Sequence, residues 1–257
     1  MDFLRAAILG IVQGLAEFLP ISSSGHLILV PALFKWPDQG LAFDVGLHMG
    51  TLLALLIYFW KDWWRMVRAG VPDFVRHQFR FRRHSRDSQF LWLIALGSVP
   101  AAISGLLFDD WIEEHLRQPW LVALALGGFT FVMLLADRRA RRSRTAESIG
   151  IRDVVLIGLA PAAALFPGVS RSGATLSMGM FRHLTRDSAA RFAFLLGTPA
   201  FVGAALLKAG DLSSSSGHEL AELVIGFGCS FAVGHAVIHY LLRFLPTRTL
   251  MPYILYR

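Results

Sequence analysis

One cysteine in 257 residues, Cys229 inside an apolar run, rules out an intramolecular disulfide and leaves oxidation silent about compartment. Charge is scarce as well. Asp, Glu, Lys and Arg make up 17% of the chain, against roughly 25% in a soluble domain. The Gly-x-x-x-x-Gly-Lys-[Ser/Thr] order of a P-loop is missing, so a nucleotide cradle of that type is excluded. The first segment, apolar from Phe3 to Leu19, lacks a basic leader and a small-residue cleavage site and contains Gln13 and Glu17. It reads as mature protein and not as a signal peptide.

What is abundant is apolar length. Hydrophobic residues reach 54% and the mean hydropathy is +0.52. Residues 89–108, 119–136, 190–208 and 221–242 each approach the roughly 20 residues that cross a bilayer. Residues 43–60 form another run, closed by the interfacial cluster Trp60, Trp63 and Trp64. The expected fold class is an all-α integral membrane protein, a polytopic helical bundle in one membrane domain, 1–257.

The formal charge of +7 sits in loops between the spans, which argues for topology and against nucleic acid. The Met66–Ser88 stretch and the loop holding Arg138, Arg139, Arg141, Arg142 and Arg144 are basic; Asp109, Asp110, Glu113 and Glu114 lie between them. The positive-inside rule places both basic loops in the cytoplasm and the acidic turn outside. The Asp211–Glu219 loop then faces outward, and Arg243 and Arg248 inward.

Two segments are poor spans. Residues 3–34 break at Pro20-Ile21-Ser22-Ser23-Ser24-Gly25-His26, and residues 151–181 break at Pro167-Gly168-Val169-Ser170-Arg171-Ser172-Gly173. Each reads as a re-entrant helix–loop–helix, tolerated at membrane depth only when buried or lining a wet cavity. They also resemble each other. Phe18-Leu19-Pro20 matches Leu165-Phe166-Pro167, the Ser-x-Ser-Gly order recurs, and Gly50-Thr51 matches Gly197-Thr198 at almost the same offset. Repeat one covers about 1–108 and repeat two about 119–257. An odd number of spans between the breaks makes the second copy inverted, so the two tips meet near the midplane, where such folds bind substrate.

The breaks hold the chemistry. Gln13 and Glu17, four apart, share a helix face. An ionised carboxylate in a membrane helix costs about 2.5–3.5 kcal/mol on insertion scales and marks function by default. With an amide oxygen and phosphate oxygens it suits a hard divalent cation, Mg2+ or Ca2+. Pro20 stops one helix and Ser22 can cap the next, whose free N–H groups attract phosphate. Ser23 and His26, three apart, fall on one face of that helix, with Ser22 four from His26 and Ser24 pointing elsewhere. A serine beside a histidine is an activated-nucleophile arrangement. Arg171, in the second turn, has the donor fork that suits a transferring phosphoryl group. Two helix starts, an Arg, a Glu and a His converging on one point describe a diphosphate site. His48 is placed to approach the first turn. His235 and His239, four apart with no Glu between them, suit interhelical contacts better than a metal. Gly10 and Gly14 suit close helix packing.

On Gln13-x-x-x-Glu17 and the two Pro/Ser/Gly turns, the chain resembles the undecaprenyl-diphosphate phosphatases of the bacitracin-resistance type over nearly its whole length. The resemblance implies hydrolysis of undecaprenyl diphosphate to undecaprenyl phosphate and inorganic phosphate, which recycles the lipid carrier of peptidoglycan synthesis. It implies a bacterial plasma (inner) membrane location and a metal-dependent site where two re-entrant loops meet, open to the periplasm. By residue-wise transfer Glu17 handles metal or water, Ser23 and His26 supply nucleophile and acid/base, and Arg171 binds phosphate. Ser22, Ser170 and Ser172 would support the diphosphate, with Gly168 and Gly173 in the same turn. The family allows Glu or Gln at Gln13, the weaker metal ligand. Relatives finish with a complete last span, which Met251–Arg257 only begins here. The partners implied are the polyprenyl diphosphate and membrane lipids, with a homodimer left open.

Lipid phosphatases of the PAP2 type also use Ser-Gly-His and Ser-Arg, but need a His soon after the Arg; Ser177 stands there, and His183 and Asp187 come too late. A transporter or flippase of a polyprenyl phosphate would share the inverted repeat. It would not need Ser23, His26 and a metal-seeking Glu17.

Overall fold

Asp2 begins the first helix by accepting the Arg5 backbone N–H at 2.8 Å, and a helical bundle follows. The computed structural model describes residues 2–37, 39–78, 80–208 and 217–257. The order is α1 (Phe3–Phe18), α2 (Ser23–Phe34), α3 (Leu41–Tyr58), α4 (Trp60–His77), α5 (Arg86–His115), α6 (Pro119–Arg139), α7 (Ile151–Ala163), α8 (Arg171–Phe181), α9 (Arg186–Lys208), α10 (Gly217–Phe244) and α11 (Met251–Tyr256). Among the described residues, extended pairing is confined to one isolated bridge, Arg144 with Leu184.

Four stretches are long and apolar enough to cross a membrane: Arg86–Phe108, Pro119–Arg139, Arg186–Leu207 and Glu219–Phe244. They coincide with the four runs read from the sequence. Exposed apolar side chains on them, such as Leu124 at 64% and Phe131 at 74%, suit a lipid environment. This is a multi-pass membrane protein.

Three expectations are refined. The run at 43–60 ends in a 68° turn between α3 and α4. Phe59, fully buried, sits at the bend. Much of the basic Met66–Ser88 loop is the helix α4, whose exposed Trp60, Trp64, Val67, Val71 and Phe74 recur at helical spacing. That stripe suits a helix lying in the membrane surface. The acidic turn at 109–114 is likewise the last stretch of the 30-residue α5. The Asp211–Glu219 connection falls largely outside the described residues.

Both broken segments are present as helix pairs, α1–α2 and α7–α8. The first helix of each crosses a long span at a glycine contact. A Cβ on Gly14 would lie 2.8 Å from Val233 Cβ and 2.9 Å from the Gly234 nitrogen of α10, and one on Gly10 would strike the Gly226 carbonyl oxygen. On the other side, Gly158 of α7 meets Gly97 of α5, with the Gly97 Cα 2.9 Å from an added Cβ. The helix–helix approach expected of Gly10 and Gly14 is therefore what these glycines do.

Asp153, in the first turn of α7, ties the second segment to the loop before it. Its carboxylate takes both Arg144 terminal nitrogens, at 3.0 and 2.7 Å, and Arg182 Nε at 2.9 Å. It also accepts the Gly150 N–H at 3.1 Å. Burial opposes its ionisation, but the Arg144, Gly150 and Arg182 donors outweigh it and hold the carboxyl down at about 2. A carboxyl depressed in the folded state stabilises fully above its unfolded value, near 4, and loses that contribution as pH falls toward 2. Asp153→Asn should therefore lower the unfolding temperature at neutral pH. The gap from the parent should narrow as pH drops from 4 to 2, as read by thermal unfolding in detergent; a gap independent of pH would refute the assignment.

Candidate active site

Two turns of the same shape face each other. Ser22 (φ 77°) and Ser170 (φ 73°) both adopt a left-handed backbone that a side chain disfavours. Each then caps the following helix: Ser22 Oγ accepts the Gly25 N–H at 3.3 Å, and Ser170 Oγ accepts the Gly173 N–H at 3.1 Å. A second hydroxyl lies beside each cap, Ser24 at 3.4 Å from Ser22 and Ser172 at 3.3 Å from Ser170. Gly25 and Gly173 are small because a Cβ on either would lie 3.2 Å from the capping hydroxyl. Gly168, at φ 100°, turns the chain where a Cβ would strike the Val122 carbonyl oxygen. The first N–H groups of α2 and α8 precede any intrahelical bond and make two positive helix ends.

Glu17 joins the two turns. Its Oε1 accepts Arg171 Nη2 at 2.9 Å; its Oε2 accepts Ser23 Oγ at 2.6 Å and Gln13 Nε2 at 2.9 Å. His48 Nε2 lies 3.7 Å from the same oxygen, so His48 does approach the first turn. Its Nδ1 faces the Asp44 carbonyl oxygen at 2.8 Å. A carbonyl only accepts, so Nδ1 carries the proton. Ser172 Oγ donates to the Leu19 carbonyl at 3.1 Å, a second bond from the second turn to the first. Arg171 is also stacked on Phe201 of α9, with its guanidinium carbon 3.6 Å from the ring centroid.

These groups form the polar end of a cavity of about 820 Å³. Glu17, Ser22, Ser23, Ser24, His48, Ser170, Arg171 and Ser172 line it. The rest of its wall is mostly apolar and runs along α5 and α9 to Ile112 and Leu207; Asp44, Ser98, Arg117 and Thr175 also line it. Gln13 is wholly buried behind Glu17. Gly168 and Gly173 are not part of the wall and serve the turns.

His26 stands apart. Its Nδ1 bonds the Ser22 carbonyl oxygen at 2.7 Å, and its Nε2 meets the Tyr256 hydroxyl at 2.9 Å, with the two rings stacked. Ser23 donates to Glu17, so the expected Ser23–His26 pair is not hydrogen-bonded as a pair. Ser24 does not point away: it borders the cavity. His235 and His239 pack edge-on against Tyr58.

Three contributors were not read from the sequence. Phe201 is one apolar residue in an apolar span and gives no signal. Tyr256 reaches His26 across the fold. Arg257 donates to the carbonyls of Pro20 at 3.0 Å and Gly168 at 2.8 Å, so one guanidinium holds both turns. Its only mark in the sequence is a charge closing an apolar segment.

A carboxylate, an arginine, a ring of hydroxyls and two helix starts at the end of an apolar tunnel define a membrane protein that handles a phosphorylated lipid. The family described as bacitracin resistance protein BacA matches residues 6–257, and the chain belongs to that family. It is similar to proteins named undecaprenyl-diphosphatase. The one from Geobacter sulfurreducens is 44% identical, covering all of this chain and 95% of that protein. Those from a Nocardioides species and Idiomarina loihiensis are 43% and 41% identical, again over the whole of this chain and 93% and 96% of theirs.

The hydrogen bonds predict how mutations combine. Ser23→Ala removes a donor to Glu17, whereas His26→Ala removes a brace between Ser22 and Tyr256. The two acts are separate, so the losses should multiply in the double variant. Turnover of a soluble prenyl diphosphate by purified protein is the measurement. A double variant no worse than either single would restore the paired reading.

Proposed function

We propose that this protein hydrolyses undecaprenyl diphosphate to undecaprenyl phosphate and inorganic phosphate, regenerating the lipid carrier of cell-wall synthesis. The observation that carries the reading is the buried Glu17 carboxylate, bonded at once to Ser23 and Arg171, in the wall of a largely apolar cavity. The polyprenyl chain occupies the apolar length, and the diphosphate meets Arg171, the serine hydroxyls and the starts of α2 and α8. Glu17 accepts the proton of the attacking hydroxyl, either Ser23 or a water seated against it. The attacking oxygen bonds the terminal phosphorus, the anhydride P–O bond breaks, and undecaprenyl phosphate leaves. A phosphoseryl group formed on the Ser23 route would be released by water. Arg171 faces the charge that accumulates on the transferring group.

A divalent cation, Mg2+ or Ca2+, fits the same corner. Gln13 Oε1 is buried with no hydrogen-bond partner among the described residues, and because Gln13 Nε2 is the atom on Glu17, an amide flip would turn Oε1 toward the carboxylate to share a cation with it. Among the described residues no three His, Cys, Asp or Glu side chains gather as a ready-made cage. One carboxylate and one amide oxygen match a hard cation that draws its other ligands from phosphate and water. When bound, it would neutralise diphosphate charge and polarise the P–O bonds; Glu17 and Gln13 would hold it.

The basic loops lie at the start of α5 and the end of α6, whereas the cavity extends along α5 to Ile112. With those loops in the cytoplasm, the cavity opens on the periplasmic side of the bacterial inner membrane. The facing turns fit an inverted repeat whose halves meet at the site.

Purified protein in detergent should release phosphate from a soluble prenyl diphosphate. Binding without release would point to a transporter. Arg171→Ala should lose roughly 10³-fold or more in turnover, and Arg171→Lys should recover little. Glu17→Gln should abolish cation-dependent turnover, with folding checked by thermal unfolding. Turnover within tenfold of the parent for Arg171→Ala would remove that residue from the mechanism.

Single cysteines placed near Arg83 or Arg142 in a Cys229→Ser background should react only with reagents reaching the cytoplasm, and one at Gln118 only from outside. The opposite pattern would invert the topology.

A further inference from the structure

A second cavity, about 470 Å³, lies at the basic end of the bundle. The catalytic cavity reaches Ile112 on α5, whereas this one takes Arg86, Gln89 and Leu93 from the start of the same helix. Arg86 and Ile112 are separated by about 40 Å of helix at 1.5 Å per residue. Arg82, Arg86, Arg144, Arg152 and Arg182 line it, with Asp153 as its one acidic residue.

The arginines are not equivalent. Arg144 is spent: besides both Asp153 contacts it donates to Ser148 Oγ at 3.2 Å, the Ser148 carbonyl at 2.8 Å and the Arg182 carbonyl at 3.1 Å. It neutralises Asp153 and fixes the wall. Among the described residues Arg182 uses only Nε, on Asp153, which leaves its two remaining nitrogens available. Arg86 gives one nitrogen to Gln89 at 3.1 Å. Arg82 and Arg152 have no partner among the described residues. Glu147, off to one side, feels the charge of Arg191 and Arg86. Four guanidinium groups thus converge with no carboxylate in the wall left to balance them. The start of α7 adds N–H groups: Gly150, its N-cap, has no side chain to cover them.

Topology alone would require basic loops, but not a concavity. Nor would it require an aspartate whose bonds fix one arginine and hold another. Guanidinium forks and a helix start are the donor set for a phosphate. The phosphate most abundant at a membrane surface is a lipid headgroup, and basic pockets between membrane helices take such groups. An apolar track leaves the cavity: Ile151, Val155 and Leu159, one per turn of α7, are exposed at 54, 45 and 50%. An acyl chain attached to the headgroup would lie along it.

We propose that this cavity is a binding site for the phosphate headgroup of an anionic phospholipid, separate from the catalytic site. The test is thermal unfolding of the full-length protein in neutral detergent, titrated with dihexanoyl phosphatidylglycerol, dihexanoyl phosphatidylcholine or inorganic phosphate. Phosphatidylglycerol should stabilise saturably and phosphatidylcholine should not. The effect should persist in Arg171→Ala, where the catalytic phosphate contact is gone. The triple variant Arg82→Gln, Arg86→Gln, Arg152→Gln should lose at least tenfold in apparent affinity for phosphatidylglycerol while its prenyl diphosphate hydrolysis stays unchanged, which also shows that it folds. Arg152→Gln alone, at an exposed position, should lose two- to fivefold if the triple variant proves unstable. Equal affinity of parent and variants, or loss of the effect in Arg171→Ala alone, overturns the site. Equal affinity for inorganic phosphate and phosphatidylglycerol overturns the lipid assignment in favour of a free phosphate.

Discussion

The contact between Glu17 and Arg171 holds the site together. The two residues are 154 positions apart and come from different broken segments. Without Arg171, whose side chain keeps 32% of its surface open, Glu17 at 3% exposure would be left an uncompensated buried carboxylate. Each segment is therefore incomplete without its counterpart. The remaining polar contacts saturate the same two groups. Gln13 and Ser23 take up Glu17, and the ring of Phe201 lies under Arg171. Ser172 and Arg257 bond carbonyls that the two turns expose where their helices stop. A charged diphosphate would enter a place where the desolvation of its partners has already been met by folding.

The apolar part of the molecule has the complementary task. Gly14 and Gly158 bring the first helix of each segment onto a long span, which fixes the depth at which α2 and α8 begin. From there the cavity follows α5 and α9, so an apolar wall leads directly to the charged end. A substrate with a long hydrocarbon tail and a compact anionic head matches both in one molecule. The small cluster of serines in the cavity wall discriminates little by itself. The apolar length of the cavity is what fits a hydrocarbon tail.

Much of this was legible because membranes restrict the vocabulary. The four spans followed from apolar length, and Glu17 and Arg171 were conspicuous as charges in apolar surroundings. The two Pro/Ser/Gly turns announced their likeness through sequence order, and the structure gives their serines matching left-handed backbones and matching caps. Partner choice was less legible. Ser23 and His26 share a helix, but a shared face says nothing about a third group, and Glu17 and Tyr256 took one each. The bend at Phe59 carried no proline or glycine to mark it. Arg257 and Phe201 act only through contacts across the fold, which periodicity does not encode.

Ser22 and Ser170 bring these levels to one point. A residue other than glycine held in a sparsely populated backbone region costs on the order of 1–3 kcal/mol. A serine cap returns typically about 1 kcal/mol relative to alanine, and only a few tenths relative to glycine. Local energetics alone would therefore place glycine at both positions, where it would hold the turn without strain. Serine stands at both, and both line the catalytic cavity beside a further hydroxyl at 3.3–3.4 Å. What serine adds beyond glycine is a hydroxyl that caps the start of a helix in the wall of the cavity.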